Sequence, residues 1–232
     1  MRQTWTQSVS GYSLEEARYG SQHGANELKQ KHFIDSHKGA TPIFILGLMA
    51  FYEQWDNTTL WLYLATHGLY GVLWVLKSMT FGDRNWEQPC GLGYAFVIWA
   101  GLSLYWIAPW LIASQGLQAP PWLAGVCVTA FGAGVFFHFV SDMQKHIKLA
   151  LAPGLITEGL WARCRNPNYF GELLIYAGFS GLAMSWIPYA VLALFLCAVW
   201  VPNMLKKDRS LSRYPEFAAY KARSGMIIPY VL

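Results

Sequence analysis

The chain has 232 residues, of which 54% are hydrophobic, 16% aromatic and only 13% charged. A soluble domain carries about a quarter charged residues, so this composition excludes an ordinary soluble enzyme and indicates a single multi-spanning membrane domain. The net charge of +4, from 17 Lys and Arg against 13 Asp and Glu, is too mild to argue for nucleic acid.

Residues 1–40 read as a polar arm with one short helix from Leu14, ahead of a membrane domain over 41–232. Met1 to Leu28 lacks the apolar core of a secretory signal, and Glu15, Glu16 and Glu27 fit poorly with an arginine-rich transit peptide. Apolar runs follow at about 42–54, 58–78, 92–113, 121–141, 169–186 and 188–205. A span needs roughly 20 residues; the second, third and fourth runs meet this and the first is short. The last two are joined only by Ile187-Pro188, which predicts a tight helical hairpin. The fold class is therefore all-α, a bundle of about six spans with a C-terminal hairpin and a cytosolic tail. Abundant Trp, Tyr and Phe suit the membrane interfaces.

Six crossings place the N-terminus, the 77–91 loop, the 142–168 segment and the tail on one side. All 17 Lys and Arg then fall on that side, and the connections 53–57, 114–120 and 187–188 contain none. The positive-inside rule puts both termini on the cytosolic or equivalent face. Endomembranes and mitochondrial membranes both accommodate this topology. Cys90, Cys127, Cys164 and Cys197 are scattered singly with no zinc spacing, so no metal site is expected.

Glu53 and Asp56 lie among apolar residues, with Tyr52, Tyr63, His67 and Tyr70 nearby in sequence. An ionisable group at membrane depth is costly and suggests function, and a Glu–Tyr pair can polarise a substrate carbonyl. A short loop with two solvated acids is the competing reading. The fourth run ends in His138, Asp142 and His146, spaced to share one helix face and suited to hydrogen-bonding a nucleotide or to a snorkelling helix end.

The polar stretch Gly154 to Glu172 crowds Arg163, Arg165, Asn168 and Glu172 where the chain re-enters the membrane. Asn166-Pro167 reads as a helix cap and first position. Asn168, Glu172 and Tyr176 follow on one face. A helix start flanked by arginines suits phosphate or carboxylate; a basic interfacial loop is the alternative. In the tail, Lys206, Lys207, Arg209 and Arg213 can grip two phosphates or bind anionic lipid headgroups, and Lys207 and Tyr214 are spaced to face one way. Neither Gly91-Leu-Gly93 nor Gly132-Ala-Gly134 is a dinucleotide fingerprint, so any nucleotide binds in a membrane-embedded site.

Gly159-Leu-Trp-Ala-Arg-Cys-Arg-Asn-Pro-Asn-Tyr-Phe-Gly-Glu172 resembles the GLWxYxRHPNYxGE signature of a membrane-enzyme superfamily. That superfamily holds steroid 5α-reductases, sterol reductases, isoprenylcysteine carboxyl methyltransferases and phospholipid methyltransferases. The likeness runs through the tail to Ile227-Ile-Pro229, about the C-terminal hundred residues, with Asn166 in place of the usual His. Ser141-Asp142 resembles the reductases' Ser-Asp pair. Asn168 and Glu172 fall on the Asn and Glu of their Asn-Phe-Leu-Gly-Glu segment. The methyltransferases' Glu-Glu tail pair is Lys207-Asp208 here, and a basic tail suits NADPH better than zwitterionic S-adenosylmethionine.

The resemblance implies NADPH as cofactor, held over 138–232 by His138, Asp142, Arg163, Arg165, Asn168, Tyr169, Glu172, Lys207 and Tyr214. It implies Glu53 and Tyr70 as the catalytic pair. The expected activity is reduction of a C=C bond in a lipid-soluble, steroid-like or isoprenoid-like enone among membrane lipids. An S-adenosylmethionine-dependent methyltransferase of a lipid or prenyl-cysteine carboxylate is the first alternative. A non-catalytic subunit of a larger membrane complex is the second.

Overall fold

A computed structural model describes residues 28–231. Its regular structure among those residues is helical, apart from two isolated β-bridges. In chain order the helices are α1 (Gln30–Phe51), α2 (Thr58–Phe81), α3 (Leu92–Gln115), α4 (Pro121–Leu151), α5 (Pro167–Gly181), α6 (Trp186–Leu211) and the short α7 (Phe217–Lys221). Two of them contain a π-turn, α2 at Leu64–Gly68 and α6 at Leu196–Trp200. Four helices, α2, α3, α4 and α6, are long and apolar enough to cross a membrane. Their outward sides carry exposed apolar residues such as Leu76, Phe96, Val126, Phe136 and Leu194, as expected where the neighbouring solvent is hydrocarbon. The protein is an all-helical integral membrane protein.

Each of the six apolar runs lies on one of the helices α1 to α6, with differences at the ends. The arm expected over 1–40 gives way to α1 already at Gln30; residues 1–27, with the helix expected from Leu14, lie outside the described residues. Ile34, His37, Lys38, Thr41, Ile45 and Leu48 form one buried stripe at helical spacing, so the polar start of α1 is an inward face. The turn between α5 and α6 falls at 182–185, with Ser185 accepting from the Ile187 N–H at 3.3 Å, and Ile187-Pro188 already belongs to α6. Proline in the first helical turn has no N–H to waste, which explains the shift. Pro121 and Pro167 start α4 and α5 in the same way. Asn166 precedes α5 but does not cap it; its amide donates instead to the Met226 carbonyl at 2.8 Å.

Two backbone contacts set the positions of the polar groups. Gly134 and Gly178 bring α4 and α5 together so closely that an added Cβ would lie 2.6 Å from the Gly171 carbonyl and 2.7 Å from the Cys127 carbonyl, respectively. Small residues at such seams let membrane helices gain van der Waals contact. On the other side, Gly71 of α2 abuts the Lys38 carbonyl of α1, where no Cβ would fit. Pro42 lacks the N–H that would bond this carbonyl within the helix.

At 31 residues, α4 is roughly 46 Å long, beyond the hydrocarbon thickness of about 30 Å. Its last turns, with Asp142, Lys145, His146 and Lys148, therefore have length to spare.

The seam can be tested with two alanines two positions apart in α4. Gly134→Ala meets backbone that cannot yield and should cost about 1–3 kcal/mol. Gly132→Ala points into open space and should be neutral or slightly stabilising. Thermal melts in detergent compare them directly, and equal midpoints for the two variants contradict the seam.

Candidate functional site

The C-terminal parts of α2, α4 and α6 frame a cleft of about 400 Å³ lined by Lys77, Asp83, Asp142, Lys145, His146 and Lys207. Lys77, from the last turns of α2, is buried and paired with Asp142 of α4. Lys145, one turn beyond Asp142, bonds Asp83 at 2.7 Å and lies 3.8 Å from the other Asp142 oxygen. That oxygen has no hydrogen-bond partner. Burial alone would raise the Asp83 carboxyl, but the Lys145 ammonium and its hydrogen bond outweigh this and hold it below the usual carboxylate range.

Behind the cleft, the α4–α5 seam sets His138 against α5. Its Nδ1 is 3.1 Å from the Asn168 carbonyl, and its ring stacks on Trp74. His138 Nε2 and Asn168 Oδ1 are both buried without partners. One turn on, Glu172 accepts from the Tyr70 hydroxyl at 3.2 Å. One further turn on, the Tyr176 hydroxyl accepts from Lys38 at 2.6 Å. The expected face of Asn168, Glu172 and Tyr176 is thus turned toward α1, α2 and α4.

Glu53 is not beside Tyr70. It is exposed on the turn between α1 and α2, at a left-handed φ of 54°. Tyr70 is 12 residues into α2, roughly 18 Å along its axis. Sequence proximity suggested the pair, but helix geometry separates it, and the carboxylate that meets Tyr70 is Glu172. Asp56 is exposed on the same turn. Tyr63 and His67 bond each other at 2.9 Å inside the bundle, and His67 stacks on Phe179.

The tail closes over the stretch before α5. Arg165 is buried and its guanidinium serves Asp208 at 3.2 Å and the carbonyls of Ser224 and Lys221. The Arg165 N–H donates to the Gly225 carbonyl at 2.8 Å, and the Tyr220 hydroxyl to the Trp161 carbonyl at 2.6 Å. Arg165 is therefore a lock between two chain segments rather than a free cation. Lys207 gives two of its protons to the Arg165 carbonyl at 2.7 Å and to Asn166 at 3.0 Å, lies over the Trp161 ring, and still lines the cleft.

Arg163 is exposed beside the Tyr230 ring, outside the cleft. Tyr169 packs on Trp200. Tyr214 lies beyond the end of α6 and holds Arg213, so it does not share a helix face with Lys207. Cys164 is fully buried, burial pushes its thiol up, and it is a structural cysteine.

The structure therefore brings His138, Asp142, Asn168, Glu172, Lys207 and Tyr70 around one polar centre and leaves Glu53, Arg163 and Tyr214 outside it. Lys77 and Lys38 belong to that centre and were missed. Lys77 reads in sequence as a topology charge at the end of a span. Lys38 sits in a stretch that reads as a polar arm. The signal for Lys38 was present: it continues the spacing of Ile45 and Leu48 toward the N-terminus.

The fold and the site together define a helical membrane protein with a buried polar centre beside a lysine-rich cleft. The chain belongs to the family described as "Protein of unknown function (DUF1295)", whose model matches residues 25–224. This is a membrane family related to steroid 5α-reductase-like proteins and isoprenylcysteine carboxyl methyltransferases. The chain is also similar to the cobalt-zinc-cadmium resistance protein CzcN of Cupriavidus metallidurans, at 26% identity over 159 residues. The match covers 68% of this chain and spans 60% of that relative's length.

The Asp83–Lys145 pair carries a pH signature. A depressed carboxyl stabilises the fold above its unfolded pKa of about 4, and this is lost as pH falls through the folded value. Asp83→Asn should cost about 1 kcal/mol at pH 7, the scale of a partly exposed pair. The gap from wild type should close in melts between pH 5 and pH 3. A gap that widens on acidification contradicts the assignment.

Proposed function

We propose that the protein is a membrane-embedded, NADPH-dependent reductase of a C=C bond in a lipid-soluble enone. The observation that carries this reading is the Tyr70 hydroxyl on Glu172, set among helices one turn along α5 from Asn168, whose carbonyl meets His138 of α4. The cleft offers three lysines against two aspartates, a balance that favours an anionic ligand. Beneath it, Asp142 Oδ1, His138 Nε2 and Asn168 Oδ1 are buried polar atoms without partners, and a bound nucleotide would satisfy them. The residues present fit the cofactor. The topology that accompanies this reading has six crossings, with both termini and the cleft on the cytosolic or equivalent face.

When bound, NADPH supplies the hydride. Lys77, Lys145 and Lys207 would hold its phosphates, and Asp142, Asn168 and His138 would orient its ribose or amide groups. The Tyr70 O–H would turn from Glu172 to the substrate ketone and stabilise the negative charge developing on its oxygen. The enolate would take the Tyr70 proton and tautomerise to the saturated ketone, and Tyr70 would recover a proton from solvent as product departs. Glu172 orients the tyrosine, taking the part that the sequence suggested for Glu53. Surrounding aromatic rings keep water out.

The methyltransferase alternative places S-adenosylmethionine in the same cleft, where three lysines are a poorer match for its sulfonium charge. Metal resistance, suggested by the CzcN relative's name, has no counterpart in side-chain grouping: among the described residues no three His, Cys, Asp or Glu side chains come together to hold a metal.

Tyr70→Phe deletes only the hydroxyl. With NADPH and a steroid enone it should lower kcat by about 10²- to 10³-fold, the usual loss for one oxyanion donor. NADPH affinity, followed by nicotinamide fluorescence, should hold. A Tyr70→Phe enzyme that turns over at the wild-type rate sinks the role given to Tyr70.

A further inference from the structure

Lys38 is 3% exposed, yet no carboxylate lies within 4.0 Å of it among the described residues. Its Nζ donates once, to the neutral Tyr176 hydroxyl at 2.6 Å. It otherwise faces aromatic rings, with the centroids of Tyr70, Trp74 and Tyr176 at 4.3, 5.1 and 5.1 Å, and the Glu172 carboxylate on Tyr70 acts on it only from beyond 4.0 Å. Two of its three protons have no hydrogen-bond acceptor among the described residues. A buried cation in this state is costly unless a partner arrives.

Its chain neighbour His37 repeats the pattern. It is 2% exposed and neither ring nitrogen has a partner. It lies stacked on Trp106 and edge-on to Trp99, with ring centroids at 4.5 and 4.9 Å. Trp99 in turn forms part of an apolar groove of about 450 Å³ on the outer side of α1 and α3, with Phe33, Leu92, Phe96 and Ser103. The groove runs along the first half of α3, a helix long and apolar enough to cross a membrane, so an apolar ligand suits it. One ring, held by the Trp99 N–H on Ser36 at 3.0 Å, separates the groove from His37, the chain neighbour of Lys38.

We propose that Lys38, with the Tyr176 and Tyr70 hydroxyls, is a binding site for the carbonyl-derived oxygen of a lipid that carries or gains negative charge. The lipid enters from the groove, and Trp99 is the side chain that must move. The apolar body is selected by the groove, and the single oxygen by the unsatisfied ammonium. Under the reductase reading, on which only the fate of this oxygen rests, Lys38 and Tyr70 share the enolate charge. The binding itself needs no cofactor.

The test uses the full chain in nanodiscs with two isotope-labelled probes, a Δ4-3-keto steroid with ¹³C at the ketone and palmitate with ¹³C at the carboxyl. Affinity is measured with and without NADPH, and the labelled carbonyl is followed by difference infrared spectroscopy. The steroid should bind wild type without NADPH, with its carbonyl stretch moved to lower frequency. Lys38→Met should remove that shift and weaken binding roughly tenfold to a hundredfold, the worth of a charge-assisted hydrogen bond. Lys38→Arg should recover part of both, and Tyr176→Phe, which keeps the ring packing, should show a smaller loss.

Palmitate binding in place of the steroid, with the same Lys38 dependence, assigns the site to a preformed carboxylate and supports it equally. Failure of both probes to bind wild type overturns the proposal, as does wild-type binding of either probe to both Lys38→Met and Tyr176→Phe. A probe bound through Lys38 by a protein that does not bind NADPH upholds this site and refutes the reductase reading.

Discussion

The structure depends on the backbone contact between α4 and α5. Gly134, Gly171 and Gly178 remove the side chains that would hold these helices apart, and no other residue type allows that approach. With the helices that close, successive turns of α4 present His138 and Asp142 while α5 presents Asn168, Glu172 and Tyr176. Polar groups that are scattered in sequence become one centre. The Gly71 contact on the Lys38 carbonyl does the same for α1 and α2, and it delivers Lys38 and Tyr70 to that centre.

A buried polar centre in an apolar bundle must be satisfied, and here it is satisfied unevenly. The tail is fully bonded: Arg165, Asp208, Ser224, Asn166 and Met226 leave little to spare, so this wall is rigid. Lys77 and Asp142 neutralise each other at the base of the cleft. Toward the interior the pairing stops. His138 Nε2, Asn168 Oδ1, both His37 ring nitrogens and two protons of Lys38 are without partners among the described residues, although each sits where an unmet hydrogen bond costs about 1–3 kcal/mol.

Much of this was legible in the sequence, for identifiable reasons. Hydropathy located the helices because bilayer length and backbone satisfaction leave few alternatives. The spacing of Asn168, Glu172 and Tyr176 gave their shared face, and charge distribution placed Lys207 and Asp142 together. Four-residue periodicity says nothing about which helix a face meets, so Tyr70 was matched with Glu53, its neighbour in sequence, rather than Glu172, about a hundred residues away. Arg165 read as a free cation because its acceptors, the Asp208 carboxylate and two backbone carbonyls, lie far along the chain, where no residue pattern announces them. Lys38 and Lys77 were hidden by composition: a lysine near a helix end looks like a topology charge until its neighbours are known.

On the proposed reading, the cleft between α2, α4 and α6 holds an anionic dinucleotide near the buried Tyr70 and its partner Glu172. Native mass spectrometry of the protein released gently from its membrane tests this most directly, by weighing whatever small molecule travels with it. The account predicts an adduct with the mass of NADPH or its oxidised form, lost when Lys77 and Lys207 are both replaced by alanine. An adduct with the mass of S-adenosylmethionine or its demethylated product contradicts it.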